Sequence, residues 1–277
     1  MKEFWIHLNA TKPIVERLKR HVQPNTHIER LVNISSFLSI ISDSTDMNLE
    51  PMPWPGSYKF YREGLVLTSD GDGLMFTYGI TPELATCINA ATMLSRHISY
   101  HLARSDVLPE DLTLEIENLL RRLESWSIES EILESLMECD DTTVHLGKLH
   151  IMAFAQSTRI YLCTRVLPFT PAQLSPHVRE VANYLTEIED LKARTGYDSV
   201  LTATIAWPGF IASCEAEPQD RDDWYHWWGS MVNYGIGNIS ALWKVVQEAW
   251  RLRDSGLRET PAWLPVLRNA KQRILAI

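Results

Sequence analysis

A carboxylate and a guanidinium stand six residues apart in the most unusual stretch of this 277-residue chain, Glu215 and Arg221 in AWPGFIASCEAEPQDRDDWYHWW. Glu215 ends an apolar run and Arg221 falls in the first turn of the next helix, so the two are placed to meet across the corner. A charge beside an apolar run needs a partner, and the plain expectation is a structural ion pair that fixes the corner. The same pair, with Asp190 upstream, is the first candidate set for acid–base work if the chain is an enzyme. His97 and His101 lie four apart on one helical face and would present two imidazoles to a metal, but no third ligand and no HExxH pattern accompany them, so no metal is expected. Gly71-Asp72-Gly73 lacks the Lys-Ser/Thr of a phosphate loop. Ser213 and Ser230 are not in a nucleophile elbow, and Cys214 reads as a buried, inert thiol. No catalytic residue, cofactor or metal is therefore assigned.

Aromatic side chains crowd the same region. Trp207, Trp224, Trp227, Trp228, Trp243 and Trp250 are six of the ten tryptophans and all fall within residues 205–250. Each ring buries much area, and the bland expectation for most of them is core. The functional alternative is an apolar ligand pocket, for which Trp207, Phe210, Trp224, Trp228 and Tyr234 are the candidate binding residues. Trp227 and Trp228 are adjacent, so one of them is expected to face a groove, a partner or solvent.

The elements that must position these residues are helical. Apolar residues recur at three- and four-residue spacing over 26–42, 142–166 and 238–254. Thr81-Pro82-Glu83 is a cap residue, a proline at the first helical position and an acid in the first turn, and it starts a helix through Leu102. Pro109 opens another. Ser175-Pro176 repeats the cap-then-proline signal, and Thr195-Gly196 ends that helix. Residues 200–216 are apolar on most faces, which predicts a central helix kinked at Pro208. Residues 218–234 pair with 238–254 across Gly235-Ile236-Gly237, and Pro261 starts a last helix. Residues 46–73 hold Pro51, Pro53, Pro55 and several glycines and read as irregular chain, with a β-hairpin near 58–67 as the one extended candidate. Residues 125–141 carry six acids and no lysine or arginine; a solvated connector with helical spacing is expected there, rather than an activation segment. No strand alternation is sustained, so the expected class is all-α, one multi-helix domain.

Bulk properties narrow the setting. The net charge of −9 argues against autonomous nucleic-acid binding, where lysines and arginines must replace counterions on phosphates, and against an anionic membrane surface. Uncharged apolar runs fall short of the ~20 residues a membrane-spanning helix needs. The four cysteines, Cys87, Cys139, Cys163 and Cys214, are dispersed without a CxxC pair, as in a reducing compartment.

Three stretches resemble a known family. GLMFTYGITPELATCINAATMLS (73–95), LHIMAFAQSTRIYLCTRVL (149–167) and AWPGFIASCEAEPQDRDDWYHWW (206–228) follow the order of motifs in the second type of fungal-specific transcription factor domain. That family's domain is the regulatory region of zinc binuclear cluster regulators, and some of its members sense ligands. The resemblance covers residues 73–254 and implies a nuclear transcription regulator that answers to an apolar small-molecule effector or a protein partner. The family's DNA reader is a six-cysteine cluster, which these four cysteines do not match, so no direct nucleic-acid contact is carried over to any residue. The competing expectation is a stand-alone biosynthetic enzyme, a cyclase or isomerase that reuses the helical scaffold with Glu215, Arg221 and Asp190 as its acid–base groups.

Overall fold

The computed structural model describes residues 10, 11, 13, 26–56, 74, 75, 78–131, 133, 136, 139–167, 169–195, 206–257, 260–270, 274 and 276. Among them are nine α-helices and no strand, which makes the fold all-α. In chain order they are α1 (Thr26–Ser44), α2 (Pro82–Leu102), α3 (Glu110–Glu124), α4 (Asp141–Arg165), α5 (Pro171–Thr195), α6 (Trp207–Cys214), α7 (Arg221–Val232), α8 (Gly237–Asp254) and α9 (Trp263–Ala270). None of the described helices is long and apolar enough to cross a membrane. The candidate hairpin at 58–67 lies outside the described residues.

Local chemistry sets the helix starts. Thr81 caps α2, its Oγ1 accepting from the Leu84 amide at 3.3 Å, with Pro82 and Glu83 in the first turn. Asp140 caps α4 by accepting from the Thr142 and Thr143 amides at 3.0 and 3.1 Å. The start of α5 differs from the expectation at Ser175-Pro176. Thr170 and Gln173 form a reciprocal cap, Gln173 Oε1 accepting from the Thr170 amide at 2.9 Å and Thr170 Oγ1 from the Gln173 amide at 3.4 Å. This cap lets α5 begin at Pro171, and Pro176 lies inside the helix. Much of the acidic stretch, residues 132, 134, 135, 137 and 138, lies outside the described residues. Its described part makes a short 3₁₀ turn, Ile128–Ser130, and Glu131 then accepts from Thr81 Oγ1 at 2.9 Å and from Trp126 Nε1 at 2.6 Å.

The central element is α4, which packs on α2, α3, α5 and α6. It buries Phe154 and Tyr161 completely. The sequence predicts a central helix over residues 200–216, kinked at Pro208; residues 200–205 lie outside the described residues, and α6 is buried along its whole length. It starts at Trp207, however, and Pro208 occupies its first turn, where an absent N–H has no helical partner to lose. A start, not a kink, is what this proline encodes. Ser157 on α4 then donates to the Pro208 carbonyl at 3.1 Å and ties the two helices together. Gly79, at φ +63°, allows the chain entering α2 to press on α4, since a Cβ there would sit 2.4 Å from His150 Cβ. Burial and the nearby Lys192 cation hold the His150 imidazole down to about 3, so it sits there uncharged.

Candidate functional site

The corner formed by α6, α7, α8 and α9 carries most of the residues singled out above. Glu215 follows α6 and is 1% exposed. Its partner is not Arg221. Glu215 Oε2 accepts from Arg253 at 2.5 Å, and Oε1 accepts from the Ala262 amide at 2.8 Å. Arg221 turns the other way and grips Asp254 with both terminal nitrogens, each at 2.8 Å, while its guanidinium lies 5.1 Å from the centre of the Trp250 ring. The cause is local. A 3₁₀ turn, Pro218–Asp220, separates the two residues, and the last turn of α8 presents Arg253 and Asp254 side by side. Two ion pairs therefore clip the corner to the end of α8, where one was expected across it. The Arg221 guanidinium also holds the Asp254 carboxyl below its usual range.

Both Glu215 oxygens accept hydrogen bonds from the protein, and the residue is closed to solvent. Asp190 is elsewhere. It lines a surface groove of about 480 Å³ between α5 and α7, with Glu187, Arg194 and Asp223, and neither Glu215 nor Arg221 borders that groove. The three acid–base candidates are thus not brought together. Cys214 is fully buried, and burial with the adjacent Glu215 pushes its thiol well up, so it stays protonated. Ser213 spaces aromatic rings: its Oγ accepts from Trp228 Nε1 at 3.2 Å and its carbonyl accepts from Trp250 Nε1 at 2.7 Å.

The aromatic candidates divide into two places. Trp207, Phe210, Trp224 and Trp228 have no exposed surface. Trp207 stacks on Phe154 at 5.8 Å, meets Tyr161 edge-on at 5.7 Å, and donates Nε1–H to Ser44 Oγ at 2.9 Å. Trp228 stacks on Trp243 at 5.7 Å, and Phe210 tilts against Trp263 at 6.1 Å. Trp227 and Trp228 were expected to split between core and surface, yet both are buried. Adjacent residues of α7 both fit within its one buried stripe, Trp224, Trp227, Trp228 and Met231, so Trp227 covers Gly209 while Trp228 meets Trp243. A Cβ at Gly209 would sit 2.2 Å from the Trp227 ring, so only glycine permits that approach. Tyr234 is apart from this block. Its hydroxyl donates to Glu189 Oε2 at 2.5 Å, and Lys192 pairs with the other Glu189 oxygen at 3.1 Å.

His97 and His101 take unrelated environments on α2. His97 is fully buried with Nδ1 2.8 Å from the Met52 carbonyl, and the His101 ring packs edge-on against Tyr100. Among the described residues no three metal-ligating side chains cluster.

Sequence reasoning missed Arg253, Asp254 and Ser44. Val246, Trp250 and Arg253 recur at four and three residues, which places Arg253 at the edge of the buried stripe of α8; that spacing was the available signal. Nothing local announces Ser44 as the partner of a tryptophan 163 residues away.

No curated protein and no solved structure matches this chain. The family model of the fungal-specific transcription factor domain matches residues 1–277, well beyond the 73–254 over which the motifs were recognised. The chain therefore belongs to the fungal-specific transcription factor domain family, and its role lies in the regulation of transcription.

Proposed function

We propose that this chain is the responsive part of a nuclear transcription regulator, in which binding of an apolar effector or a protein partner alters the packing of the α6–α9 corner. Membership of the family over the whole chain carries this reading. The physical support is the kind of packing found there. Interlocked rings and two ion pairs form an arrangement that shifts between discrete states more readily than it deforms smoothly. A ligand changes such an equilibrium only by binding one arrangement better than the other. Trp207, Phe210, Trp224 and Trp228 are closed to solvent as they stand, so an apolar effector at these residues would have to favour a repacked state. Tyr234 and its Glu189–Lys192 partners hold the end of α7 to α5 and form a second place where a partner's docking would be felt.

The test is a fusion of the full chain to a heterologous DNA-binding domain, with reporter transcription measured in a fungal host. The fusion is expected to change reporter output relative to the DNA-binding domain alone. A folded, nuclear fusion protein whose output equals that of the DNA-binding domain alone would overturn the proposal.

A further inference from the structure

Three of the seven large apolar side chains exposed among the described residues lie close together in the chain: Tyr225 at 51%, Val232 at 40% and Ile236 at 42%. All three belong to the hairpin of α7 and α8. The hairpin is antiparallel, since Arg221 at the start of α7 bonds Asp254 at the end of α8. Tyr225, Gly229 and Val232 recur at four and three residues on the exposed side of α7, and Ile236, Ser240 and Trp243 recur the same way along α8. The antiparallel course sets Val232 level with Ile236, Gly229 with Ser240, and Tyr225 with Trp243. The last two meet edge-on with ring centres 5.3 Å apart. Each row is therefore large, small, large, and a Cβ at Gly229 would meet nothing within 4 Å. Charges border this face with opposite signs on its two sides. Asp222 is exposed one turn before Tyr225 on α7, and Lys244 and Arg251 are exposed on α8. No ion pair among the described residues engages Asp222 or Lys244. Arg251 gives Nε and one terminal nitrogen to Glu248 and keeps the other terminal nitrogen for a further acceptor.

We propose that the outer face of the α7–α8 hairpin is a self-association surface, and that its occupant is the same face of a second copy of the chain. A partner of one charge would satisfy one edge of the face and repel the other, whereas a second copy satisfies both. With the two-fold axis running along the helices, α7 of one copy lies on α8 of the other and like ends coincide. Asp222 then meets Arg251 of the second copy, and by symmetry the contact occurs twice. Gly229 and Ser240 let the helices approach closely at the centre of the face, and the larger side chains pack at either end. The result is a four-helix arrangement with antiparallel neighbours across the interface. Helices of 12 and 18 residues, about 18 and 27 Å long and about 10 Å apart, offer on the order of 500 Å² per copy. That is the small end of specific interfaces, so the dimer is weak and forms in the micromolar range. Nothing in this pairing requires an effector.

Sedimentation equilibrium of the full chain across the micromolar range tests this. The wild-type chain is expected to pass from monomer to dimer as its concentration rises. Asp222→Arg and Arg251→Glu each alter an exposed side chain and place like charges at both symmetric contacts. Each is expected to weaken the dimer by about tenfold or more, with circular dichroism unchanged. An equal mixture of the two variants is expected to recover association, because Arg at 222 of one chain then faces Glu at 251 of the other. Recovery on mixing is intermolecular by construction, so it separates a contact between copies from a change within one chain. The proposal is overturned by a chain that stays monomeric throughout, which would leave this face to some other occupant. It is equally overturned by a dimer indifferent to both substitutions, or by weakened variants that do not recover when mixed.

Discussion

Replacing Glu215 with alanine is expected to destabilise the chain by about 3–5 kcal/mol, the usual effect of removing one partner from a buried ion pair. The loss has two parts. Arg253 is left as an uncompensated guanidinium in a site where its side chain is only 15% exposed. The Ala262 amide, also buried, loses its acceptor, Glu215 Oε1, and with it the link that seats the start of α9. For a chain of this size each kcal/mol moves the midpoint by about 2–4 °C, so thermal unfolding is expected to shift down by about 10 °C. Arg221→Ala should cost far less, because its partner Asp254 is half-exposed and remains solvated. Equal effects of the two variants would show that the clasp is not organised around Glu215.

Trp207→Ala is the second large effect, again about 3–5 kcal/mol. The ring is completely enclosed by Phe154 and Tyr161 of the central helix, and its removal leaves a cavity too well walled to collapse. Ser44 also loses its indole donor, which loosens the end of α1 from the core. Urea unfolding followed by circular dichroism measures the loss. Trp243, only partly buried on the outer side of Trp228, provides the comparison. If Trp207→Ala costs no more than Trp243→Ala, the account of Trp207 as the ring that joins α6 to α4 is wrong.

Much of this architecture is legible in the sequence. The Thr81-Pro82-Glu83 start, the period of α8 and the all-helical class follow from rules that act within a few residues, and the structure agrees with them. The departures come from interactions that compete with the pattern first read, whether nearby in the chain or across the fold. Ser175-Pro176 reads as a start, but Thr170 and Gln173 form a reciprocal cap a few residues earlier and the helix begins there. Pro208 looked like a kink because the apolar run extended on both sides of it, while the helix itself began only at Trp207.

The site shows the same limit more sharply. The charge on Glu215 correctly demanded a partner, but proximity along the chain pointed to Arg221, when the tertiary fold supplied Arg253 from 38 residues away. Trp227 and Trp228 seemed unable to share a face because a helix packed on one side has a single apolar stripe. The buried residues of α7 are Trp224, Trp227, Trp228 and Met231, one stripe wide enough to hold two adjacent residues, so both rings are enclosed. What the aromatic concentration encodes is a tightly interlocked core corner, and any response to an effector must work through that packing.

The most direct measurement of that claim uses the same reporter fusion with Phe210→Leu and Trp228→Phe, conservative changes that perturb the corner without emptying it. Near-UV circular dichroism of each variant establishes that it is folded. The account predicts that reporter output, or its response to an added effector, changes in both variants while the fold is retained. Folded variants whose output and response match the wild-type chain would contradict it.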